Sequence, residues 1–511
     1  MTFRNLFSSF VVVSLFASCA FAQTGKKDYV PGEILIRFKD AADSVSSRFA
    51  RETGSRALEN IRNTRWKRIK LPAGLSIDRA IERYKQRADV ESIQPNFYYH
   101  LLTTPNDPQY GSLWGMAKIS APTAWDLTTG SSAVVVADID TGIRYTHEDL
   151  AANVWKNPGE IPNNGIDDDG NGFIDDYYGY DFFANDPDPL DENGHGTHTA
   201  GTIGAVGNNS VGVAGVNWNV RIMAVKIYSA TGTDSTSAML VNAYNYVRTM
   251  KERGINIRVT NNSYGDCPEA CGADQAVKEA LDALGNAGVL NVFAAGNNGR
   301  NIDAAPFYPA SYTNPTILSV AASDQSDDRA AFSNYGVNGV DIAAPGVSIL
   351  STIRSSDSSY GFLSGTSMAT PHVAGAAALL AAYKPELSTV SLKATLLNSV
   401  DQLANWNGIV RSGGRLNIAK ALQNPTVCTF SLSTDSMRVR TRGGYFTVEV
   451  NAPPNCDYSV KSTVKWIYFD GAKDLSGSAS VGFRVTVNPT LTRSAAITIA
   501  DQEMTITQSR N

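Results

Sequence analysis

The sequence predicts an α/β protein whose central parallel sheet follows a small α+β unit and precedes an all-β sandwich. Apolar strand segments alternate with helical periodicity between residues 103 and 424, the pattern of a parallel sheet with crossover helices. The chain has 511 residues, more than one hydrophobic core usually organises. Hydrophobic residues make up 43% and charged residues 18%, which excludes a largely disordered chain.

Residues 1–22 have the layout of an export signal. Arg4 precedes an apolar run over residues 10–16, and Ala20-Phe21-Ala22 follows as a small-residue cleavage site. A membrane anchor is the alternative, but the run is too short to span a bilayer. A lipoprotein would use Cys19, but Phe16 stands where such signals usually carry leucine. No later stretch reaches about 18 consecutive apolar residues, so we expect a secreted, extracellular protein with no membrane span.

Residues 23–102 read as a compact α+β unit. The strand candidates are Glu33–Phe38, Trp66–Lys70 and Val90–Tyr99, and the helix candidates are Asp43–Arg51 and Ser76–Arg87. Residues 24–101 carry 16 basic against 10 acidic residues, a net charge of +6. Residues 102–511 carry 27 against 39, a net charge of −12, as expected when two parts bind one another. The overall charge of −5 argues against nucleic acid as a partner.

Residues 103–424 contain five apolar runs that read as buried parallel strands. These runs are Val134–Ile139, Arg221–Ile227, Arg258–Asn261, Val289–Ala294 and Thr316–Ala321. Helices over Ser235–Lys251 and Ala273–Gly288 fall between them. Functional groups are expected at the C-terminal ends of these strands, where open α/β sheets bind their ligands.

Residues 425–511 change character and read as a small β-sandwich. Asn424-Pro425 ends the helix Ile418–Gln423, and short alternating strands rich in Val, Thr and Ser follow. The strand candidates are Tyr445–Asn451, Val481–Val487, Ala495–Ile499 and Met504–Gln508.

Four cysteines remain once the export signal is removed. They are Cys267, Cys271, Cys428 and Cys456. In an oxidising compartment the two nearby pairs suggest disulfides 267–271 and 428–456, although four cysteines allow three connectivities. Zinc is the alternative, and no histidine lies near any of them in the sequence.

Three segments supply the groups that nucleophilic hydrolysis needs, a hydroxyl, a base and a carboxylate. They are Asp140-Thr141-Gly142, His195-Gly196-Thr197-His198 and Gly365-Thr366-Ser367-Met368-Ala369-Thr370-Pro371-His372. Asp140 follows an apolar strand, and Ser367 opens the buried helical run Ala369–Leu380. A nucleophile at a helix N-terminus lies near N–H groups that favour negative charge.

These three segments, in this order, resemble the signatures of subtilisin-like serine proteases. The resemblance implies a serine endopeptidase that acts on proteins or peptides through an acyl-enzyme and is made as an autoprocessed zymogen. It assigns the triad to Asp140, His195 and Ser367. The alternative is a non-catalytic secreted binding or adhesion protein on a protease scaffold. A degraded triad would be its signature, and all three members are present.

The resemblance also assigns the substrate cleft. Asn297, in Ala294-Ala295-Gly296-Asn297, is implied to stabilise the oxyanion. The segment Ser263-Tyr264-Gly265 is implied to pair with the substrate backbone as an added strand. Phe307 stands before Tyr308-Pro309, where this family often has a small residue at the base of the primary specificity pocket. A deep pocket for aromatic side chains is therefore not expected.

One calcium site is predicted from the residues themselves. Asp167-x-Asp169-x-Asn171-Gly172 repeats the start of a calcium loop, with the Phe173 carbonyl as a further ligand. Position 12 is Tyr178 instead of the usual glutamate, so Asp176 is expected to close the shell. A merely solvated acidic loop is the alternative.

A second calcium site is implied by the resemblance alone. Its side-chain ligands would be Asp107, Asp149 and Asn209, and its carbonyl ligands would come from Gly207, Val211 and Val213.

The flanking regions resemble known modules as well. The basic segment resembles the inhibitor-like propeptide of this protease family, which implies intramolecular inhibition and self-cleavage between His100 and Thr104. A permanent structural domain is the alternative.

The tail resembles a BACON-type module through Cys428, Cys456, Trp466 and residues 493–499. That likeness implies a surface or carbohydrate contact, with Trp466 either an exposed platform or a core residue.

Overall fold

A computed structural model of the chain describes residues 29–40, 42–98, 103–265, 274–488 and 491–509. The chain divides into two compact units, Met1–Leu101 and Leu102–Asn511. The predicted export signal and the pair Cys267 and Cys271 lie outside the described residues. Within the described ranges, every helix is too short or too polar to cross a membrane.

The N-terminal unit is a four-stranded antiparallel sheet with two helices. Its elements are β1 (Tyr29–Phe38), α1 (Asp43–Thr53), β2 (Arg56–Asn60), β3 (Trp66–Lys70), α2 (Ile77–Tyr84) and β4 (Val90–Phe97). The strand order is β2-β3-β1-β4, and alternate residues of β1 bury Ile34, Ile36 and Phe38 against the helices. The sequence missed β2 because its five residues are mostly polar and exposed, so no apolar alternation marks them.

The second unit begins with a large α/β domain. Its helices are α3 (Trp114–Lys118), α4 (Ala121–Trp125), α5 (His195–Gly204), α6 (Ser237–Glu252), α7 (Gln275–Asn286), α8 (Thr366–Tyr383), α9 (Thr389–Asn398) and α10 (Ile418–Gln423). Its strands are β5 (Gly130–Asp140), β6 (Gly179–Asp181), β7 (Asn219–Lys226), β8 (Ile257–Asn262), β9 (Leu290–Ala294), β10 (Ile317–Ser323), β11 (Ile342–Pro345), β12 (Ile349–Thr352), β13 (Tyr360–Leu363), β14 (Asp401–Gln402) and β15 (Gly414–Arg415).

Within the described residues, nine of these strands form one sheet in the order β14-β15-β11-β10-β9-β8-β5-β7-β6. All neighbours pair in parallel except β14 with β15, and β12 and β13 form a separate antiparallel hairpin. The predicted α/β class is therefore confirmed. The central strands are apolar and buried on both faces, which is why they read as continuous hydrophobic runs.

Two hydrophobic layers cover this sheet. Helices α5 and α8 pack on one face together with α9 and α10, whereas α6 and α7 pack on the other. Helix α8 is rich in alanine and glycine because it lies close to its neighbours. A Cβ on Gly375 would lie 2.8 Å from the Val216 Cβ, so a larger residue there would clash with the segment that joins α5 to β7.

The C-terminal region is an all-β sandwich, as predicted. Its strands are β16 (Ser431–Leu432), β17 (Ser436–Val439), β18 (Gly444–Asn451), β19 (Asp457–Ser462), β20 (Ile467–Phe469), β21 (Asp474–Ser476), β22 (Ala479–Val485), β23 (Arg493–Ile499) and β24 (Gln502–Gln508). They form sheets in the orders β16-β18-β22-β20 and β17-β24-β23-β19-β21. The predicted disulfide joins Cys428 and Cys456. Trp466 packs at the edge of the core under the Arg493 guanidinium, 4.3 Å from its ring centre, and is not an exposed platform.

Ion pairs hold the sandwich against the α/β domain. Asp457 of β19 accepts two hydrogen bonds from Arg411, at 3.0 and 2.6 Å, and one from Lys393 at 2.8 Å. Burial opposes the charge of Asp457, but the two cations outweigh it and hold the pKa of this carboxyl far below its usual range. The sandwich is therefore docked through a buried charge cluster and does not hang on a free tether.

Candidate active site

The predicted functional residues lie together at one edge of the sheet. Asp140 ends β5, the segment 263–265 follows β8, and Asn297 comes three residues after β9. Strand β8 lies between β5 and β9, so these strand ends are adjacent. His195 is the first residue of α5 and Ser367 the second residue of α8, and the two helices pack against each other.

Asp140 and His195 form a close pair. The Nδ1 atom of His195 lies 2.7 and 3.0 Å from the two carboxylate oxygens of Asp140. The Asp140 carboxylate also accepts a 2.7 Å hydrogen bond from the Thr141 N–H, which fixes its orientation. Burial disfavours a charged imidazole, but the charge and hydrogen bond of Asp140 outweigh burial and raise the pKa of His195. His195 can therefore accept a proton at Nε2, the ring nitrogen that does not contact Asp140.

Asp191 holds the start of α5 in place and was missed by the sequence reasoning. Its carboxylate accepts hydrogen bonds from the Thr141 hydroxyl at 2.9 Å and from the Gly194 and Thr197 N–H groups at 2.8 and 3.0 Å. These bonds join the turn after β5 to the first turn of α5, and thus set the position of His195 relative to Asp140. An acidic residue shortly before a helix was the available signal.

Ser367 is held by the loop after β8. Its hydroxyl donates to the Ser263 carbonyl at 2.9 Å, and the Ser263 hydroxyl donates to the Ser367 carbonyl at 2.9 Å. The Ser367 carbonyl is available because Pro371, four residues later, has no N–H to complete the helical bond. The nucleophile candidate is thus fixed to Ser263, one of the predicted substrate-binding residues.

Asn297 presents its amide nitrogen beside the start of α8. Its Oδ1 accepts hydrogen bonds from the Thr366 N–H at 2.9 Å and the Thr366 hydroxyl at 3.0 Å, which leaves Nδ2 facing away from that helix. A Cβ built on Gly365 would lie 3.4 Å from Asn297 Nδ2 and 3.6 Å from the Ser367 nitrogen. Both nitrogens therefore lie close to the space that glycine leaves open at residue 365.

A small cavity of about 160 Å³ opens beside Ser367. Its walls include Tyr264, Gly265, Gly296 and Asn297, and Phe307 is buried at 4% exposure. The Phe307 ring fills the space between two glycines, because a Cβ on Gly265 or Gly296 would come within 2.2 or 2.6 Å of it. The cavity is therefore shallow.

The side chain of Tyr264 is held mainly by the core. Its hydroxyl donates to Asn262 Oδ1 at 2.9 Å and lies 2.7 Å from the Tyr244 hydroxyl, and its ring packs edge-on against Phe293. Its pKa is raised, first by burial and then by Tyr244. The Tyr264 side chain thus forms part of the cavity wall, and its hydroxyl is already hydrogen-bonded elsewhere.

The acidic loop forms a second cluster away from these groups. Asp169 and Asp176 lie together with Glu160, each offering an oxygen within 4.8 Å of the others. Glu160 is 6% exposed, and its Oε2 has no hydrogen-bond partner among the described residues. An orphaned, buried carboxylate oxygen facing two further carboxylates fits a hard cation. Glu160 was missed because it lies seven residues before the recognisable loop.

The other predicted loop ligands have different surroundings. The Asp167 carboxylate accepts the N–H groups of Asn171 and Gly172, at 3.0 and 2.8 Å, and so closes the turn. Asn171 reaches Asp176 Oδ2 at 3.0 Å, and the Phe173 ring packs against Tyr246 in the core. Asn171 therefore borders the carboxylate cluster, whereas Asp167 shapes the loop.

The residues of the second predicted calcium site are brought together. The Asp107 carboxylate accepts the N–H of Asn209 at 3.2 Å, and Asn209 Nδ2 donates to Asp149 at 2.8 Å. Val213 donates its N–H to Asp149 at 2.9 Å. No hydrogen bond from the described residues uses the carbonyls of Gly207, Val211 and Val213. Two buried carboxylates, joined through Asn209 and accompanied in the same segment by carbonyls that accept no hydrogen bond, also suit calcium.

A larger cavity, of about 870 Å³, lies elsewhere. It runs between α7, the start of α9 and strand β19 of the sandwich, and contains neither His195 nor Ser367. Its size reflects the gap where two domains meet, whereas the 160 Å³ cavity adjoins the reactive groups.

Comparisons with known proteins agree with this arrangement. A model of the subtilase family matches residues 131–435, and a model of the fervidolysin N-terminal prodomain matches residues 17–96. A thermophilic serine proteinase of Bacillus sp. (strain AK1) is 35% identical over 400 residues, which are 78% of this chain and 88% of that protein. Thermitase of Thermoactinomyces vulgaris is 39% identical over 321 residues, 63% of this chain and 99% of that protein. A solved protease from Pseudoalteromonas arctica PAMC 21717 has 30% identity and a TM-score of 0.52, covering 63% of this chain and 99% of its own.

Proposed function

The chain belongs to the subtilase family of serine endopeptidases, and we propose that it hydrolyses peptide bonds with Asp140, His195 and Ser367 as its triad. The observation that supports these roles is the 2.7 Å contact between His195 Nδ1 and Asp140. It lies at the C-terminal ends of the strands, where Ser367 and Asn297 are also found. A non-catalytic binding role is not favoured, because every group that the reaction needs is present.

In this proposal Ser367 leaves its bond to Ser263 when substrate enters, and its hydroxyl oxygen attacks the scissile carbonyl. His195 takes the hydroxyl proton at Nε2 and returns it to the leaving amine. Asp140 keeps the proton on Nδ1 and stabilises the charged ring. Asn297 Nδ2 and the Ser367 N–H bind the oxyanion. The freed Ser263 carbonyl, with Gly265, pairs with the extended peptide backbone.

Covalent labelling tests the assignment of the nucleophile. A sulfonyl fluoride should add one equivalent to the native mature protein, and peptide mass mapping should place the adduct on Ser367. Heat-denatured protein should not react, because an unactivated serine hydroxyl is a poor nucleophile. The matched control is Ser364→Ala, three residues upstream, which should label normally. A native protein that neither labels nor hydrolyses casein would instead support the non-catalytic role.

The N-terminal unit is a prodomain, and its presence makes the chain a precursor with an intramolecular inhibitor. We propose that self-cleavage between His100 and Thr104 releases it and that the basic charge of residues 24–101 favours its binding to the acidic remainder.

We also propose export through residues 1–22, followed by a prodomain over 23–102, a catalytic domain over 103–424 and the sandwich over 425–511. A related protein from Dichelobacter nodosus is named an extracellular basic protease.

We propose that the enzyme prefers small side chains before the scissile bond, because Phe307 occupies the cavity beside Ser367. Phe307→Gly should raise kcat/KM for a peptide with phenylalanine at that position by at least about tenfold, since even one methylene changes such discrimination by 10–200-fold. The alanine peptide should be affected far less. The measurement is kcat/KM on the paired peptides. The exposed Phe362 does not line this cavity, and Phe362→Ala is the control; equal gains in both variants would contradict the assignment.

We propose two calcium sites that stabilise the loops around the catalytic domain. Glu160, Asp169 and Asp176, bordered by Asn171, would hold one ion. This shell gains Glu160, and it does not include Asp167 or the predicted Phe173 carbonyl. Asp107, Asp149 and Asn209 would hold the other with the carbonyls of Gly207, Val211 and Val213. Bound calcium would neutralise buried carboxylates and would take no part in peptide hydrolysis.

Chelation should therefore lower the thermal midpoint of the sulfonyl-inhibited mature protein. When free calcium is at 100 times the Kd of a site, its binding adds about 2.7 kcal/mol to the free energy of unfolding. For a domain of this size that raises the thermal midpoint by roughly 4 °C or more. Glu160→Gln should lose about that much of the calcium-induced rise, whereas Glu386→Gln, at an exposed site, should keep all of it. A full rise in Glu160→Gln would remove Glu160 from the ligand shell.

The function of the sandwich is less constrained than that of the catalytic domain. The BACON-type likeness and a surface or carbohydrate contact stay predictions. The disulfide pair Cys267 and Cys271 also stays a prediction, since both residues lie outside the described residues.

A further inference from the structure

A second aspartate lies two residues before the triad aspartate. Asp138 and Asp140 are both in β5, and side chains two residues apart point to the same face of a strand. That face is covered by α5 and α8. Asp138 is 0% exposed, and none of the described residues forms an ion pair with it. A buried carboxylate without a cation is costly, so its surroundings require an explanation.

Asp138 joins the two elements that carry the reactive side chains. Its Oδ2 lies 3.0 Å from the Thr199 hydroxyl on α5, the helix that begins with His195. Its Oδ1 accepts a 2.8 Å hydrogen bond from Asn261 Nδ2 on β8. Asn261 Nδ2 also reaches the Ser263 hydroxyl at 3.1 Å, and Ser263 holds Ser367. A single carboxyl group therefore connects the histidine helix with the serine.

The Thr199 hydroxyl offers Asp138 a partner that can accept as well as donate a hydrogen bond. Its oxygen lies 2.9 Å from the Gly196 carbonyl, which can only accept, and 3.0 Å from Asp138 Oδ2. The hydroxyl has one proton, so it cannot donate to both. If Thr199 donates to Gly196, which also takes the helical bond of α5, its oxygen can accept a hydrogen bond from a protonated Asp138 Oδ2. If Thr199 donates to Asp138 instead, the carboxyl keeps a negative charge that no cation balances, and burial disfavours this second arrangement.

The charges around Asp138 favour the same state. The charged groups and histidines on the packed elements are Asp140 on β5, His195 and His198 on α5, Arg221 and Lys226 on β7, Arg258 on β8 and His372 on α8. Arg221 and Arg258 donate to backbone carbonyls, those of Ala152 and Pro385. His195 is engaged by Asp140, Lys226 by Asp181 and Glu192, and the other two histidines by backbone carbonyls. Burial, and then the charge of Asp140, raise the pKa of Asp138 well above its usual range.

We propose that Asp138 is a positioning residue that stays protonated in the working enzyme and holds α5 and the Ser263–Ser367 contact in register. It touches neither substrate nor reacting atoms. This inference rests on the proposed triad, which supplies the two groups that Asp138 positions.

Two substitutions distinguish a protonated Asp138 from an ionised one. Asp138→Asn keeps a donor toward Thr199 and an acceptor toward Asn261, so kcat, KM and the acid limb of the pH profile of kcat/KM should stay within about twofold of wild type. Asp138→Leu keeps the volume and removes both bonds, so kcat should fall by about 10²-fold with KM little changed. An acid limb that moves down by about one pH unit or more in Asp138→Asn would show that a negative charge had been removed beside His195, and would overturn the proposal. Full activity in Asp138→Leu would overturn the positioning role.

Infrared spectroscopy gives a readout independent of activity. The Ser367→Ala precursor should show a protonated-carboxyl band at neutral pH that disappears when Asp138→Asn is added. Absence of that difference would overturn the proposal even if Asp138→Leu failed to fold. An inert wild-type protein that still shows the band would count against the proposed function and would leave the protonation of Asp138 supported.

Discussion

Ser367→Ala is expected to leave the precursor at full length and to lower casein hydrolysis by about 10⁶-fold. Without the hydroxyl there is no covalent intermediate, and His195 has no proton to remove. The backbone of the site should survive, because the Ser263 hydroxyl still donates to the carbonyl of residue 367. The expected defect is therefore chemical and not structural.

Intact mass and casein hydrolysis, followed together in time, measure this result. Wild type should shed a fragment that ends between His100 and Thr104, and activity should rise as the fragment is degraded. The uncleaved mutant should mature when a trace of active wild type is added, if the junction is open to another molecule. Self-cleavage of Ser367→Ala at the same rate as wild type would exclude Ser367 as the nucleophile of maturation.

Asn297→Ala is expected to lower kcat by about 10²–10³-fold with little change in KM. The amide is used mainly when negative charge develops on the carbonyl oxygen, so its loss affects the transition state more than substrate binding. The loss should also relax the start of α8 slightly, since Asn297 Oδ1 accepts two hydrogen bonds from Thr366. The thermal midpoint of the inhibited protein should therefore be measured beside kcat.

A matched variant separates the two effects. Asn286→Ala, at the exposed end of α7, removes a side-chain amide that lies before the start of β9, whereas Asn297 follows its end, and should leave kcat unchanged. If Asn297→Ala lost activity only in proportion to a raised KM, the amide would be a substrate contact and not an oxyanion donor.

Much of the α/β domain could be predicted from the sequence because its signals are local. Strands such as β8 and β9 are buried on both faces and must be apolar along their length. The long run of small residues after Ser367 likewise marks α8, because that helix packs closely against its neighbours. Strand β2 was missed since it is exposed and has no apolar alternation.

The site was predictable where motif and strand end coincide, and not where a residue acts through contacts distant in sequence. Asp140, His195, Ser367 and Asn297 each lie in a short segment with glycine or other small residues. Asp191 and Asp138 are not marked by a motif of their own, because their roles come from partners on other elements, up to 123 positions away in the sequence. Glu160 lies outside the recognisable calcium loop, and only the fold shows it beside Asp169 and Asp176.

The sequence by itself predicted most of the elements, the residues proposed for the chemistry and the absence of a deep pocket at Phe307, since these follow from periodicity and from short segments of the chain. Only the tertiary structure decided how the Phe307 ring is packed, which carboxylates face one another and which of them lie buried without a cation. The physical reason is that these properties depend on burial and on distances between elements. The Phe307 ring limits the cavity because two glycines from separate loops admit it, and burial together with Asp140 on the same face raises the pKa of Asp138.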